Sequence, residues 1–261
     1  MTTMRKQLLI IPALSRLEES QKLAEEYSVG YEYNDFFAPD VLDSPERQRE
    51  IAEQYAEHGI PCFATLHGAF FDVIPCSVDR LIAQTSDMRI EQSIAAAELM
   101  RASGVVFHTN YNPFLNSPAY IADWIRQNAD YWSGVLARHK GVQIWLENMF
   151  DTSPDIMERL AELLCSCDNF GICLDYAHAS LSKVAAPVWA EKLGKYVRHV
   201  HINDNDLASD LHLAWGSGRI DRAAFYESYR RYLAGATVLV ETSSPENQRK
   251  SLEKLEEEGF I

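Results

Sequence analysis

The sequence lacks the long apolar run that a membrane-spanning helix needs. Across its 261 residues, no window approaches the roughly 20 consecutive apolar residues that cross a bilayer. The N-terminal stretch MTTMRKQLLIIPALS also lacks a long enough apolar segment and a small-residue cleavage site for a signal peptide. Its apolar run Leu8–Leu14 predicts a first buried strand instead. We therefore expect a cytoplasmic protein without a membrane partner.

Basic residues are scarce. The chain has 24 Lys and Arg against 38 Asp and Glu, a formal net charge of −14. No Lys/Arg cluster exceeds two or three residues, whereas nucleic-acid-binding proteins usually carry a clustered basic face. The charge argues against a nucleic acid partner without excluding it, because bound divalent cations can reverse the sign of the charge inside a cleft.

Cysteines are few, and their spacing shows no paired motif. The five are Cys62, Cys76, Cys165, Cys167 and Cys173, an odd number with no Cys-x-x-Cys pair. This pattern is typical of a reducing compartment rather than of a disulfide scaffold. We expect all five to be small buried hydrophobic residues.

Apolar segments rich in β-forming residues alternate with helical patterns along the chain. The predicted strands are Gln7–Leu14, Gly30–Asp35, Pro61–Gly68, Gly104–Asn110, Val142–Met149, Phe170–Ala177, Val197–Asp204 and Ala236–Thr242. The predicted helices are Ser15–Tyr27, Glu46–His58, Asp87–Ser103, Tyr120–His139, Pro154–Cys167, Pro187–Tyr196, Asp221–Leu233 and Pro245–Glu258. Strict alternation predicts parallel strands joined by right-handed crossovers, and eight units predict an α/β fold, a closed (β/α)8 TIM barrel with outer helices.

The length and the 47% hydrophobic content suit one large core, so we expect residues 1–261 to form a single domain. The main alternative is an open doubly wound sheet. Its Gly-rich loop after the first strand is missing, since Ile11 is followed by the residues PALS. Ser15, with Glu18 three residues later, predicts a capping box at the start of the first helix.

Side-chain alternation places polar residues on the inner face of several predicted strands. In Val142–Glu147, the residues Val142, Ile144 and Leu146 share the apolar face and leave Glu147 on the other. In a barrel the apolar face packs outward under the helices. Six side chains near strand ends therefore point into the barrel mouth, where active sites of this fold lie: His67, His108, Glu147, Asp175, His201 and Glu241. His178, Asp210 and His212 join them from the following loops.

These nine side chains favour a metal site. Crowded carboxylates repel one another and raise their own pKa values unless a cation compensates them. Mixed carboxylate and imidazole ligands suit Zn²⁺, Mn²⁺ or Fe²⁺ better than Ca²⁺. Of the other histidines, His58 and His139 end helices and are interpreted as structural. His199 shares the inward face of His201 one layer deeper, which predicts a core or supporting role rather than direct ligation.

At the level of motifs the sequence resembles the xylose isomerase-like TIM-barrel superfamily. The segments are LHGAF with His67, VFHTN with His108, WLENM with Glu147, CLDYAHA with Asp175 and His178, HINDND with His201, then Asp210-Leu-His212 followed by GSGRID, and VLVET with Glu241. That superfamily includes sugar phosphate isomerases and epimerases and the endonuclease IV type of abasic-site nuclease.

The resemblance implies a divalent-metal-dependent sugar or sugar phosphate isomerase or epimerase. By it, Glu147, Asp175, His201 and Glu241 bind the metal, and Glu147 and Glu241 transfer protons through an enediolate. His178, His67, His108 and Trp215 would contact a small sugar substrate. Rim aromatics are expected to cover the sugar: Phe36, Phe37, Phe70, Phe71, Tyr111 and Trp215.

The second possibility is an endonuclease IV-like phosphodiesterase with a trinuclear zinc site. In that case His67, His108, His178, Asp210 and His212 would hold further metal ions, by the same resemblance. The acidic surface departs from the nuclease pattern. The sequence leaves open the sugar, its phosphorylation, the metal and whether the chain forms a homo-oligomer.

Overall fold

Eight parallel strands close into a barrel in sequence order. The structure, a computed structural model, describes residues 7–61 and 63–261. Residues 1–6 of the N-terminal stretch considered as a signal peptide, and Cys62, therefore lie outside the described residues. The strands are β1 Leu8–Ile10, β2 Gly30–Tyr33, β3 Ala64–His67, β4 Gly104–His108, β5 Gln143–Glu147, β6 Phe170–Asp175, β7 Val197–Ile202 and β8 Thr237–Val240. Since β1 pairs with both β2 and β8, the predicted (β/α)8 barrel is confirmed and the open sheet is excluded.

Helices surround the barrel. They are α1 Leu17–Tyr27, α2 Pro39–Leu42, α3 Pro45–His58, α4 Arg80–Leu99, α5 Pro118–Arg138, α6 Asp155–Leu164, α7 Tyr176–Leu181, α8 Ala186–Leu193, α9 Arg222–Ser228, which continues as a π-turn over Tyr229–Leu233, and α10 Pro245–Glu257. Among the described residues, no helix has the length and apolar character needed to cross a membrane.

Three details of the helix prediction are wrong. Ser15 does not cap α1, because it lies inside a 3₁₀ turn, Leu14–Arg16, and the helix begins after Arg16 without a side-chain cap. Helix α4 begins at Arg80 rather than Asp87, because the Asp79 carboxylate accepts the Leu81 N–H at 2.8 Å and caps the helix there. Two short helices, α2 and α7, were not predicted.

The two faces of the barrel strands divide as alternation predicts. Outward residues such as Leu66, Ile144 and Val238 join the large core formed with the helices, whereas Val106, Trp145 and Cys173 form a separate cluster inside the barrel. Strand pairing sets His108 beside Glu147 and Asp175 beside His201. The inward ends of neighbouring strands therefore lie at one level, at the barrel mouth.

The expectation that Trp215 lies at the rim is wrong. Its side chain is 1% exposed and belongs to the main core. The indole N–H donates to the Tyr226 hydroxyl at 3.0 Å, and the ring packs edge-on against Phe225. Phe36, also expected at the rim, is fully buried. Phe71, in contrast, is 68% exposed.

The cysteines are less uniform than expected. Cys76, Cys165, Cys167 and Cys173 are free thiols. Cys173 is buried inside the barrel, as expected, whereas Cys76 and Cys167 are only half-buried. Cys165 is exposed, because it lies at the C-cap of α6, where the helix ends at the surface.

Candidate functional site

Four side chains from four neighbouring strands meet at the barrel mouth. Glu147 ends β5, Asp175 ends β6, His201 lies in β7, and Glu241 directly follows β8. Each offers one ligand atom, and these four atoms lie within 4.8 Å of one another. All four residues are buried. We call them the tetrad; they are the four residues that the resemblance implies as metal ligands.

The tetrad fits a divalent cation. Within residues 7–61 and 63–261, Glu147 Oε1, Asp175 Oδ2 and His201 Nδ1 are buried without a hydrogen-bond partner. His201 Nδ1 lies 3.4 Å from Glu147 Oε1 and 3.5 Å from Glu241 Oε1. A buried polar atom left unpaired costs about 1–3 kcal/mol, and a bound cation satisfies several such atoms together. Three carboxylates and one imidazole suit Zn²⁺, Mn²⁺ or Fe²⁺.

The pKa values show how protons balance the crowded charges. Burial raises the pKa of Asp175 to about 8, and the carboxylates of Glu241 and Glu147 add to the shift against the opposing effect of His178. Burial also opposes ionisation of Glu241, but His201 and His212 outweigh it and lower its pKa to about 2. Burial disfavours the charged form of His201, yet Glu147 and Glu32 hold its pKa well above the usual range. A cation entering the tetrad therefore displaces protons.

We expect cation binding to tighten as the pH rises from 6 to 8. Below its pKa of about 8 Asp175 carries a proton that the metal must displace, so affinity falls as the pH falls. The expected change is about tenfold per pH unit for each proton displaced. Calorimetric titration of Zn²⁺ into the protein, in buffers of different ionisation enthalpy, measures both the affinity and the protons released. An affinity that does not change over this range would contradict the assignment.

Two further histidines approach Glu147 from β3 and β4. His67 Nε2 lies 3.3 Å and His108 Nε2 3.5 Å from Glu147 Oε2. His67 Nδ1 is 3.0 Å from the Gly68 carbonyl oxygen, an arrangement that favours a proton on Nδ1 and leaves Nε2 as a ligand or acceptor. The three side chains form a second group able to hold a metal.

A third metal-capable group lies nearer the surface. It contains His178, Asp210 and His212. Asp210 Oδ2 lies 3.3 Å from His178 Nε2 and 3.0 Å from His212 Nε2. Burial opposes protonation of His212, but Asp210 and Glu241 raise its pKa to about 10. The structure thus brings together all nine predicted side chains, while Trp215 lies apart in the core.

Sequence reasoning missed Glu32, a fully buried carboxylate on β2. Its Oε2 accepts the Thr65 hydroxyl at 2.7 Å and lies 3.0 Å from His199 Nε2. The signal was present, since Tyr31 and Tyr33 pack outward in the core and leave Glu32 facing inward. The supporting role predicted for His199 agrees with this contact.

The two histidines interpreted as structural have local partners. His58 Nδ1 lies 2.9 Å from the Gln54 carbonyl oxygen, one turn earlier in α3. His139 Nε2 lies 2.8 Å from Glu91 Oε2 on α4. The His58 contact lies within α3, and the His139 contact joins the end of α5 to α4. Both agree with the structural interpretation.

A groove of about 890 Å³ opens beside the tetrad. It reaches the metal-capable residues through His178 and Asp210 and extends between Phe71, Phe114 and Phe150, all three exposed. Asp151 also lines it, and burial raises the pKa of this carboxyl to about 6. Concave, mainly apolar clefts of about 300–1,000 Å³ with a few polar groups are typical small-molecule sites.

Comparison with known families gives one match over most of the chain. The family model described as xylose isomerase-like TIM barrel matches residues 23–258. The uncharacterized protein MJ1311 of Methanocaldococcus jannaschii is 29% identical over 205 residues, which cover 74% of this chain and 68% of that protein.

Solved structures share the fold. The TTHB071 protein of Thermus thermophilus, soaked with ZnCl₂, superimposes with a TM-score of 0.77 at 22% identity and covers 98% of this chain and 99% of its own. A D-tagatose 3-epimerase-like protein superimposes with a TM-score of 0.75 at 23% identity, and the match covers 97% of this chain and 96% of that protein. The 3-keto-D-glucoside 4-epimerase of E. coli superimposes with a TM-score of 0.69 at 18% identity, and the match covers 97% of this chain and 100% of that protein.

Proposed function

This chain belongs to the xylose isomerase-like TIM-barrel family, and from that premise we propose that it is a divalent-metal-dependent sugar isomerase or epimerase. The tetrad carries the proposal: four buried ligand atoms lie within 4.8 Å of one another, three of them without a hydrogen-bond partner among the described residues. The names of two proteins with this fold, a D-tagatose 3-epimerase-like protein and a 3-keto-D-glucoside 4-epimerase, support sugar chemistry.

A divalent cation bound by the tetrad would supply Lewis-acid stabilisation of the negative charge that develops on two neighbouring sugar oxygens. Glu147 and Glu241 are the proposed proton carriers. The C–H bond beside the sugar carbonyl breaks, its proton passes to one carboxylate, and its electron pair forms the C=C bond of an enediolate. Return of a proton to the opposite side of that carbon gives the epimer. Return to the neighbouring carbon gives the isomer.

The surroundings of these carboxylates support their roles. Both lie within 3.5 Å of His201 Nδ1, and neighbouring imidazoles, against the effect of burial, keep the pKa values of both carboxyls below the usual range. Each is therefore ionised at neutral pH and able to accept a proton. His178 Nδ1 lies 2.9 Å from the Asn148 carbonyl oxygen, which orients Nε2 towards the groove side, where we propose that it binds a substrate hydroxyl.

The groove favours an uncharged sugar over a sugar phosphate. Three carboxylates line it, Asp72, Asp151 and Asp210, against the single ammonium group of Lys183. Phosphate groups are usually held by arginine side chains or by helix N-termini. The carboxylates instead accept hydrogen bonds from hydroxyl groups, and the phenylalanines pack against the apolar face of a sugar ring.

One observation favours a second candidate, the endonuclease IV-like phosphodiesterase. Besides the tetrad, the groups His67–His108–Glu147 and His178–Asp210–His212 can each hold an ion. Metal analysis of the purified protein separates the candidates, because about one tightly bound ion favours sugar chemistry and about three favour phosphoester cleavage. The net charge of −14 disfavours a DNA substrate.

The direct test is hydrogen exchange on a ketose panel. The protein is loaded with Mn²⁺ and incubated in deuterated water with ketoses, each offered with and without a phosphate group. We expect deuterium at the carbon beside the carbonyl, faster for the unphosphorylated sugar and abolished by a chelator. If no ketose exchanges and abasic DNA is nicked, the isomerase proposal is wrong.

A further inference from the structure

One fully buried carboxylate contacts the ligand histidine on the side away from the tetrad. Glu32 Oε1 lies 3.2 Å from His201 Nε2, whereas His201 Nδ1 faces Glu147 and Glu241. The imidazole is thus placed between two sets of carboxylates, one at each ring nitrogen. Strand β2, which supplies none of the nine clustered residues, reaches the site through Glu32.

Glu32 is itself held from two sides. Thr65, its neighbour in the β2–β3 pairing, donates its hydroxyl to Oε2 at 2.7 Å. His199 Nε2 lies 3.0 Å from the same oxygen. A carboxylate can be buried at acceptable cost only when such groups compensate it, so these contacts fix where the carboxylate can lie.

His199 is in turn held at its other nitrogen and by its ring face. His199 Nδ1 lies 2.5 Å from Thr237 Oγ1 on β8. The imidazole stacks on Trp145 with ring centroids 4.9 Å apart and planes 20° apart. The Thr237 hydroxyl also lies 3.4 Å from the Arg198 carbonyl oxygen. If it donates instead across the shorter contact to Nδ1, the proton of a neutral His199 is on Nε2, the nitrogen nearest Glu32. Among the described residues, Glu32 Oε1, His199 Nε2 and His201 Nε2 have no aligned hydrogen-bond partner, so Glu32 acts on the two imidazoles through its charge, at 3.0 Å from His199 Nε2 and 3.2 Å from His201 Nε2.

We propose that Glu32 is a positioning residue for the metal centre, which holds His201 with a proton on Nε2 and so keeps the Nδ1 lone pair available to the cation. A ring nitrogen is available to a metal only if the proton occupies the other one, and a carboxylate beyond the ring is a common way to arrange this. His199 and Thr237 hold Glu32 in place. The inference rests on the metal binding by the tetrad in the proposed function.

The test compares wild type with Glu32→Gln, with Zn²⁺ alone as the probe. Glutamine keeps the size of the side chain but removes the charge that selects the tautomer. We expect the Zn²⁺ affinity, measured by competition with a chromogenic chelator, to fall about 10- to 100-fold. In ¹⁵N spectra of the zinc-loaded wild type, His201 should be protonated at Nε2 and metal-bound at Nδ1. In the variant this signature should be lost or mixed.

Two further variants separate positioning from general damage. Glu57→Gln makes the same chemical change on the exposed face of α3 and should leave Zn²⁺ affinity unchanged. Thr237→Val removes only the hydroxyl that contacts His199 Nδ1, and its affinity should fall between those of wild type and Glu32→Gln. Thermal unfolding of the metal-free proteins shows whether each variant folds. If Glu32→Gln does not fold, Thr237→Val tests the inference in its place.

The outcomes decide separately on the two proposals. A Glu32→Gln protein that is less stable but binds Zn²⁺ as tightly as wild type, with the same His201 tautomer, would show that Glu32 only fills space, and the inference is overturned. If Glu32→Gln does not fold, a Thr237→Val protein with wild-type affinity and tautomer overturns it as well. A wild-type protein that binds no Zn²⁺ at the tetrad removes the metal centre and this inference together. Normal zinc binding without sugar exchange leaves the inference standing and contradicts only the proposed reaction.

Discussion

Glu241→Gln is expected to lower the rate of deuterium exchange at the carbon beside the carbonyl by a factor on the order of 10²–10⁴, the usual contribution of a positioned general acid or base. Glutamine retains an oxygen that can still face the cation but cannot accept the proton. Glu241 is ionised in the folded protein, since His201 and His212 outweigh burial and hold its pKa at about 2. The loss should therefore appear across the neutral pH range. The measurement is exchange by NMR at saturating Mn²⁺.

Because Glu241 is also a proposed metal ligand, metal content must be measured in the same samples. A matched Glu147→Gln variant tests the partner carboxylate. If the two carboxylates transfer protons on opposite faces of the carbon, each variant should exchange deuterium more slowly into one epimer than into the other. Both variants should lose epimerisation. Glu57→Gln is the surface control. Full exchange by metal-loaded Glu241→Gln would contradict the assigned role.

Six of the nine clustered residues, those at or next to strand ends, could be found from sequence because a β-strand has a period of two. Once Leu146 and Ile144 are assigned to the outward face, Glu147 must point inward, and the parallel order of strands brings all such residues to one end of the barrel. The same rule applied to Tyr31 and Tyr33 would have identified Glu32. The predicted second strand, Gly30–Asp35, extends two residues beyond the observed end of β2 at Tyr33 and so placed Glu32 in mid-strand, away from the barrel mouth.

Residues outside strands were harder to place, since loops carry no comparable period. His212 and Asp210 could be assigned to the mouth, but their contact depends on a left-handed backbone at His212, with φ of 45°, which the sequence does not reveal. Trp215 follows three residues later and was expected beside the sugar. Its burial depends on Tyr226 and Phe225 of α9, contacts between segments that no local pattern predicts.

The burial of Trp215 predicts a large effect on stability. Trp215→Ala removes a large side chain that is 1% exposed, so the free energy of unfolding should fall by about 3–5 kcal/mol. Trp215→Phe keeps much of the packing but leaves the Tyr226 hydroxyl without its indole donor, and should cost about 1–3 kcal/mol. Chemical denaturation monitored by circular dichroism measures both values.

Phe71→Ala provides the contrast, because Phe71 is 68% exposed and lines the groove. Its stability should stay within about 0.5 kcal/mol of wild type, while the KM for a sugar that exchanges should rise. Trp215→Phe should show the opposite pattern, with reduced stability and an unchanged KM, because the Trp215 ring packs in the core against Phe225 and does not line the groove. If Trp215→Phe instead raises KM without loss of stability, the indole contacts the sugar after all, and the assignment of Trp215 to the core alone is wrong.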